Sequence, residues 1–477
     1  MKIRLTIILF TVFAITVNAQ VKKWTLQECV TYALENNITI KQTELDLKAA
    51  EINKKDALGN FLPSINAGGN HSWNIGLNQN ITTGLLENQT TQFSSINING
   101  NVDIYRGMQN LNRMHRSNLA ILASQYQLDN IKDDIALFVA NSFLQILFNK
   151  EQLKVLYAQN EVSQEEQKRT GELVEAGVLP RGDLLEIQAT LATQEQQIVN
   201  AENAVILSKI SLAQTLLIDD YRNFDIADIE YEVPLSNVLN ETPEVIIAKA
   251  KETRRDILIA ETNAEISEDD LKIARGALQP SLTGFYSYNT RASYSDIIAG
   301  SVLSTTNPTR VIGTVEGTGQ NVVVPNFEPI IEGPDKTMDQ FRANDGYNFG
   351  LALNIPVFNG FSLRNNVERS KVNLERSKNQ LEQANLDLES TVYQAYNDTK
   401  GAQKAYEAAL KTVTARNEAF TYSQERYNVG LLNAFDFNQS RTQLETAESD
   451  LIRAKYDYIF KLKVLEYYFG IPIANLN

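Results

Sequence analysis

Few residues in this chain have the type and spacing that reaction chemistry requires. The two histidines, His71 and His115, are far apart, and neither has a second histidine near enough for a metal motif. No HExxH, GxSxG, phosphate-loop or dinucleotide fingerprint occurs. The acidic pairs Asp133-Asp134 and Asp269-Asp270 fall in helical patterning and read as solvated faces. Cys29 is the only cysteine, so disulfide frameworks and cysteine metal clusters within one chain are excluded. The reading is a protein without catalysis, metal or cofactor. Two polar sets remain. One is a series of amides and a carboxylate at every second position, Asn97, Asn99, Asn101 and Asp103, with Asn348 and Asn354 in a later stretch. The other is a pair of aspartates, Asp183 and Asp436, each following a glycine turn. Amides spaced by two make one wet face of a strand. Carboxylates at a constriction favour cations and repel anions.

The elements that carry these residues are long. From Met108 to Thr170 there are 63 consecutive residues without a glycine or proline. Apolar positions there recur at helical spacing, as in Leu128, Ile131, Ile135 and Phe138. A helix from there to Gly177 would be roughly 100 Å long, far more than one globular core can use. A second rod runs from Phe361 to Val429, interrupted only by Gly401. The rods end alike, in Ala176-Gly177-Val178-Leu179 and Val429-Gly430-Leu431-Leu432. An offset of 253 superimposes these turns and also Gly107 on Gly360, Asp183 on Asp436 and Leu212 on Leu465, with no insertion or deletion. An offset of 217 superimposes an earlier element: Thr242 on Thr25, Ala250 on Ala33, Ile257 on Ile40, Pro280 on Pro63. The chain is a two-fold repeat, with expected halves at 20–239 and 240–477.

Each half opens with a capped helix, expected over Thr25–Leu62 and Thr242–Gln279; Thr25 and Glu28 form a capping box. After the prolines the period changes from 3.6 to 2. Four strands are expected, at about 64–76, 95–106, 281–291 and 346–358. Each has one apolar and one polar, asparagine-rich face, and aromatics such as Trp73, Tyr105, Tyr347 and Phe358 stand near the ends. Strands of about ten residues suit a tilted bilayer crossing, but four cannot close around a lumen, and open edges are not tolerated in lipid. Three chains would supply twelve strands. The connections are polar, and the second, Arg291–Asp345, holds four of the 11 prolines and should be largely irregular. Helices from about Asp183 and Asp436 run back along the rods, and the two aspartates could simply cap them. The acidic stretch Asp219–Glu241, with Ile229-Glu230-Tyr231-Glu232-Val233, reads as a collar.

Lys2 and Arg4, the apolar run Leu5–Val17 and Val17-Asn18-Ala19 together read as a cleavable signal peptide over 1–19. No other stretch approaches the about 18 apolar residues of a membrane helix. The chain carries a formal charge of −14, and removing Lys2 and Arg4 makes it −16, which disfavours a nucleic-acid partner.

This ordered set resembles the TolC family of bacterial outer-membrane efflux proteins. The resemblance covers essentially the whole mature chain. It rests on the repeat, on Leu26…Ala33-Leu34…Asn37 with Leu62-Pro63 after it, and on Tyr427-Asn428-Val429-Gly430-Leu431…Asp436. It implies an α-dominated chain with a membrane β-barrel: a homotrimer whose 12-stranded barrel continues into a helical periplasmic tunnel. It also implies an outer-membrane exit duct for a tripartite efflux or secretion system, working with a periplasmic adaptor and an inner-membrane pump. The tips that meet the adaptor would be Gly177, Val178, Leu179, Gly430, Leu431 and Leu432. At the entrance, the family's acidic ring falls on Asp436 and on Gln439, which is not acidic, and its locking tyrosine falls on Tyr427 while the lock's arginine falls on Leu432. The reading from a different class is a secreted coiled-coil stalk for adhesion or scaffolding. It accounts for the rods but not for the matched half-lengths or the asparagine-faced strands.

Overall fold

The computed structural model describes residues 22–79, 84–228, 233 and 236–471. The expected leader and residues 229–232 and 234–235 of the expected collar lie outside them. In chain order, β1 (Lys23–Trp24) leads into α1 (Leu26–Asn36) and α2 (Ile38–Gly59), the hairpin β2 (Ser64–Gln79) and β3 (Leu86–Arg106), the rod α3 (Gln109–Glu175) and α4 (Arg181–Thr215). After β4 (Asp225–Ile226) the second half gives α5 (Pro243–Thr253), α6 (Arg255–Gly276), β5 (Ser281–Ser293), β6 (Ile297–Leu303), β7 (Thr309–Thr314), β8 (Asn321–Pro325) and β9 (Phe327–Glu332). It closes with α7 (Thr337–Ala343), β10 (Gly346–Asn354), the rod α8 (Ser362–Asn428) and α9 (Ala434–Tyr468).

The two halves match residue for residue in their helices. Both rods are 67 residues, both following helices 35, and the opening helices are 11 and 22 residues in each half. Both rods begin after the same backbone device, two successive left-handed residues: Gly107 and Met108 (φ 58° and 61°), Gly360 and Phe361 (φ 63° and 65°). The expected single opening helix is in fact two. It breaks at Asn37 and, 217 residues later, at Arg254, both with extended ψ. Asn37 accepts a hydrogen bond from the Thr39 amide at 2.8 Å and so caps α2 from within the expected helix. Arg254 lies with its guanidinium 4.5 Å and 5.2 Å from the ring centres of Tyr467 and Tyr468.

The chain forms two compact units. The first (1–51, 119–266, 374–477) is helical apart from the short parallel pair β1–β4. Its core includes Cys29, Ala33, Val139, Phe143, Ile146, Leu212, Leu216, Ile226 and Ile459, all 0 % exposed. Burial raises the Cys29 thiol to about 12, so this cysteine is inert packing.

The second unit (52–118, 267–373) carries a four-stranded antiparallel sheet in the order β10-β5-β3-β2. Two expectations change here. The stretch between the first two strands is largely strand, since β2 runs to Gln79 and β3 starts at Leu86, whereas β10 stops at Asn354, before Pro356. The long second connection is not irregular. β6 pairs with β9 and β7 with β8, each around a bulge, and the prolines sit at strand ends and beside the bulged segments, where a missing donor is tolerated. Beyond β10, the short helix α7 guards the edge of β5: the Gln340 side chain accepts from the Ser293 amide and donates to the Ser293 carbonyl, both at 2.9 Å.

Candidate functional site

In the sheet, cross-strand register decides which side chains share a face. Asn66, Asn99, Ser287 and Asn348 stand in one row across all four strands. The next row, Ala67, Ile98, Tyr288 and Tyr347, belongs to the opposite face. The alternation continues along the sheet, so Asn97, Asn101, Asp103 and Asn354 lie with Asn99 and Asn348. Hydrogen bonds run along this face: Ser64 Oγ donates to Asn101 Oδ1 (2.7 Å), Ser287 Oγ to Asn99 Oδ1 (2.8 Å) and Thr283 Oγ1 to Asp103 Oδ1 (3.3 Å). Arg106 holds Asp103 at 2.9 Å. Small residues make room: a Cβ on Gly68 would meet Asn97 Oδ1 at 3.0 Å, and one on Gly350 would meet the Phe285 ring at 3.0 Å. The other face is open aliphatic and aromatic surface, with Ile65, Phe349 and Leu351 each two-thirds or more exposed. One sheet therefore has a wet face and an oily face, and both are exposed.

In the first unit the rods end in matching turns. Gly177 and Gly430 adopt φ of +71° and +76°. The amide of Val178 reaches back to Leu173 O and that of Leu431 to Arg426 O, both at 2.8 Å. This is the glycine-terminated helix end in which a left-handed residue satisfies the last carbonyls. The tips are apolar and bare: Val178 is 66 %, Leu431 69 % and Phe435 68 % exposed. Neither aspartate caps its helix, contrary to the simplest expectation. The cap positions are Pro180 and Asn433, whose Oδ1 accepts from the Asp436 amide at 2.8 Å. Asp183 and Asp436 each sit at the third helical position, where a carboxylate faces the positive end of the helix dipole. Asp436 and Gln439 are exposed and Leu432 is half-buried. Tyr427 stacks flat on Phe437 at 4.6 Å. Burial, with the nearby Glu166 and Asp183 charges, raises its hydroxyl above the ordinary range.

Sequence reasoning missed a polar layer just inside these turns. Arg441 of α9 is 3 % exposed, and its side-chain nitrogens have no hydrogen-bond partner among the described residues. Two carboxylates flank it, Glu166 of α3 at 3.5 Å and Glu445 at 3.7 Å. Asn160, Ser163, Gln194 and Asn438, all buried, complete the layer with further unpaired polar atoms. Burial pushes both carboxyl pKa values up, against the pull of Arg441. The signal lay in the sequence: Arg441 occupies a stripe position between the buried Phe437 and Leu444.

The expected solvated acidic pairs differ from one another. Asp269 is not solvated: it is 1 % exposed, contacted by His115 and bonded to Lys272 at 3.0 Å. Among the described residues no group of three metal-ligating side chains occurs, and no helix is long and apolar enough to cross a membrane.

The sequence profile of the outer membrane efflux proteins matches residues 30–216 and 246–470, one segment from each repeat. The chain belongs to the outer membrane efflux protein family. The efflux family's solved channels share the fold. VceC from Vibrio cholerae superposes with a TM-score of 0.74 at 14 % identity, covering 93 % of this chain and 96 % of that one. The open-state MtrE channel of Neisseria gonorrhoeae gives 0.68 at 16 % identity, over 94 % and 89 %. Among curated relatives, a pyoverdine export outer membrane protein of Pseudomonas aeruginosa, OpmQ, is 21 % identical over 355 residues, which is 74 % of this chain but only 64 % of that protein. TolC of Vibrio cholerae is 21 % identical over 342 residues, 70 % and 67 % of the two chains. The chain is thus an efflux-family protein of the outer membrane, and it shares the fold of the TolC-like channels.

Proposed function

We propose that this protein is the outer-membrane exit duct of a tripartite efflux or type I secretion system. It conducts substrates passively and carries out no chemistry of its own. Three copies close a 12-stranded barrel in outer-membrane lipid, and the rods continue it through the periplasm toward an adaptor and an inner-membrane pump. The observation that carries this is the register that segregates Asn66, Asn99, Ser287 and Asn348 from Ala67, Ile98, Tyr288 and Tyr347. A sheet wet on one side and oily on the other suits a wall between water and lipid, and serves no purpose in a soluble stalk. Asn97, Asn99, Asn101, Asp103, Asn348 and Asn354 then line the lumen. Uncharged amides dominate there, so the wall admits many solutes and specificity rests with the pump. The bare tips Gly177–Leu179 and Gly430–Leu432 take the adaptor. Asp183 and Asp436, with Tyr427 and Gln439, surround the periplasmic entrance. The test is the mass of the purified protein in detergent together with dye release from proteoliposomes. A trimer that leaks small dyes is expected. A folded trimer that leaks nothing overturns the duct and leaves the stalk.

A further inference from the structure

Charge on the wet face of the sheet is sparse and uneven. In the four-stranded part, where β3 runs beside β5 from Phe93 to Arg106, the charged side chains on that face are Asp103, Arg106 and Arg291. Asp103 and Arg106 pair with each other at 2.9 Å, at the end that leads into the rod. Arg291 stands opposite Ser95, and Ser95 opposite Asn70, toward the other end. Ser95 lies 8 residues before Asp103 (103 − 95). At about 3.3 Å per residue that is roughly 26 Å, three times the Debye length of about 8 Å, so the carboxylate does not offset the guanidinium. The neighbours of Arg291 on the same face of β5, Asn289 and Ser293, are uncharged. Arg291 is exposed, and among the described residues no carboxylate lies within ion-pair distance of it.

The backbone holds this side chain to its face. Asn344 Nδ2 donates to Arg291 O at 2.9 Å. The flanking Thr290 and Ala292 belong to the opposite face and are buried, and Thr290 Oγ1 donates to Phe341 O of α7 at 2.7 Å. Two residues on, the Gln340 side chain holds both backbone groups of Ser293. A slip of β5 by one residue would break all of these bonds, so the guanidinium stays on the wet side. In a chain with a formal charge of −14, a fixed and uncompensated base stands out as a place for anions.

We propose that Arg291 sets the charge preference of the exit: three copies form a cationic ring in the barrel wall, and solutes bearing carboxylate, phosphate or sulfate groups are the class it favours. This rests on the duct reading above and adds a sign to a wall otherwise lined by amides. Twelve strands about 4.8 Å apart and tilted by about 40° place the wall about 12 Å from the barrel axis. An arginine reaching roughly 6 Å inward leaves its charge about 6 Å from the axis, inside the Debye length. Three such charges, screened by salt, concentrate a monovalent anion at that height about fivefold and exclude cations to the same degree. The ring lies at the opposite end of the duct from Asp183 and Asp436, and its sign is opposite to theirs.

The entrance carboxylates would mask the ring, so the test uses Asp183→Ala with Asp436→Ala as the parent. Reversal potentials across a dilute KCl gradient should show a several-fold preference for anions in the parent. Arg291→Gln should bring the ratio to about one, Arg291→Glu should invert it, and Arg291→Lys should keep it. In 1 M salt, where the Debye length is about 3 Å, the variants should converge. A ratio that Arg291→Gln leaves unchanged overturns the ring and leaves the duct standing. Inositol hexakisphosphate binding to the purified protein in detergent gives a second measurement that needs no conductance. Titration calorimetry should show affinity that falls several-fold in Arg291→Gln, and equal binding in both overturns the ring. Binding that depends on Arg291 in a folded trimer without conductance would overturn the duct and leave the anion site.

Discussion

Arg441 is a guanidinium sealed between α3, α4 and α9 with two carboxylates to share it. The groups facing the layer are Glu166 and Arg169 of α3, Tyr427 of α8, and Glu445 and Glu448 of α9. Glu166 and Glu445 both hold their protons more tightly in the fold than in water, chiefly through burial. A carboxyl whose folded pKa is raised contributes its stability in full below the ordinary carboxylate range and loses it as pH climbs through the raised value. The seating of α9 on α3 is therefore firmest in acid and loosens as the pH climbs from the ordinary carboxylate range through the raised values. Hydrogen exchange of the 436–448 amides, corrected for intrinsic rate, should report opening that grows with pH, by at most about tenfold per pH unit for each of the two protons. Glu166→Gln with Glu445→Gln should flatten that slope, and an unchanged slope contradicts the assignment. Arg441→Met leaves two half-buried carboxylates without their cation and should cost about 1–3 kcal/mol in denaturant titration. At the strand–rod joint, Gly107→Ala puts a methyl into Gly276 O in a left-handed backbone and should lower stability by about 1–3 kcal/mol.

Among the elements, the rods behave as their sequences dictate. Gly401 lies in the middle of α8 with nothing within 4 Å, so Gly401→Ala should raise stability by about 0.5–1 kcal/mol, read as a shift in the thermal midpoint. Gln340 stands in for a missing strand on the edge of β5. Gln340→Ala should expose the Ser293 amide to exchange and cost about 1 kcal/mol. The rods, the glycine turns and the two-faced strands were legible because each has a periodic or repeated signature. The breaks at Asn37 and Arg254 were not: Arg254 fits a helix by propensity, and Asn37, a weak helix former that can cap, is a single residue inside otherwise helical patterning. The β6–β9 ribbon was hidden by its own prolines, which mark strand ends and bulges rather than disorder. The Arg441 layer was readable as a charge on an apolar stripe with Glu445 one turn on, but its other partner, Glu166, comes from a helix far away in sequence. Asp183 and Asp436 were placed correctly at their helix starts, yet the caps went to Pro180 and Asn433.

For the whole molecule, equal lengths are the organising fact: two rods of 67 residues and two following helices of 35, held in step by offsets of 253 and 217. Length kept equal within one chain to the residue keeps the two repeats in step, since any mismatch would stagger the strand–rod joints against the glycine turns. Single-channel conductance in a planar bilayer tests the account most directly, with wild type compared against Asp183→Ala combined with Asp436→Ala. The account predicts a small, cation-selective conductance in wild type that widens or loses its selectivity in the double variant. A folded, membrane-inserted trimer that shows no conductance in either form would contradict it.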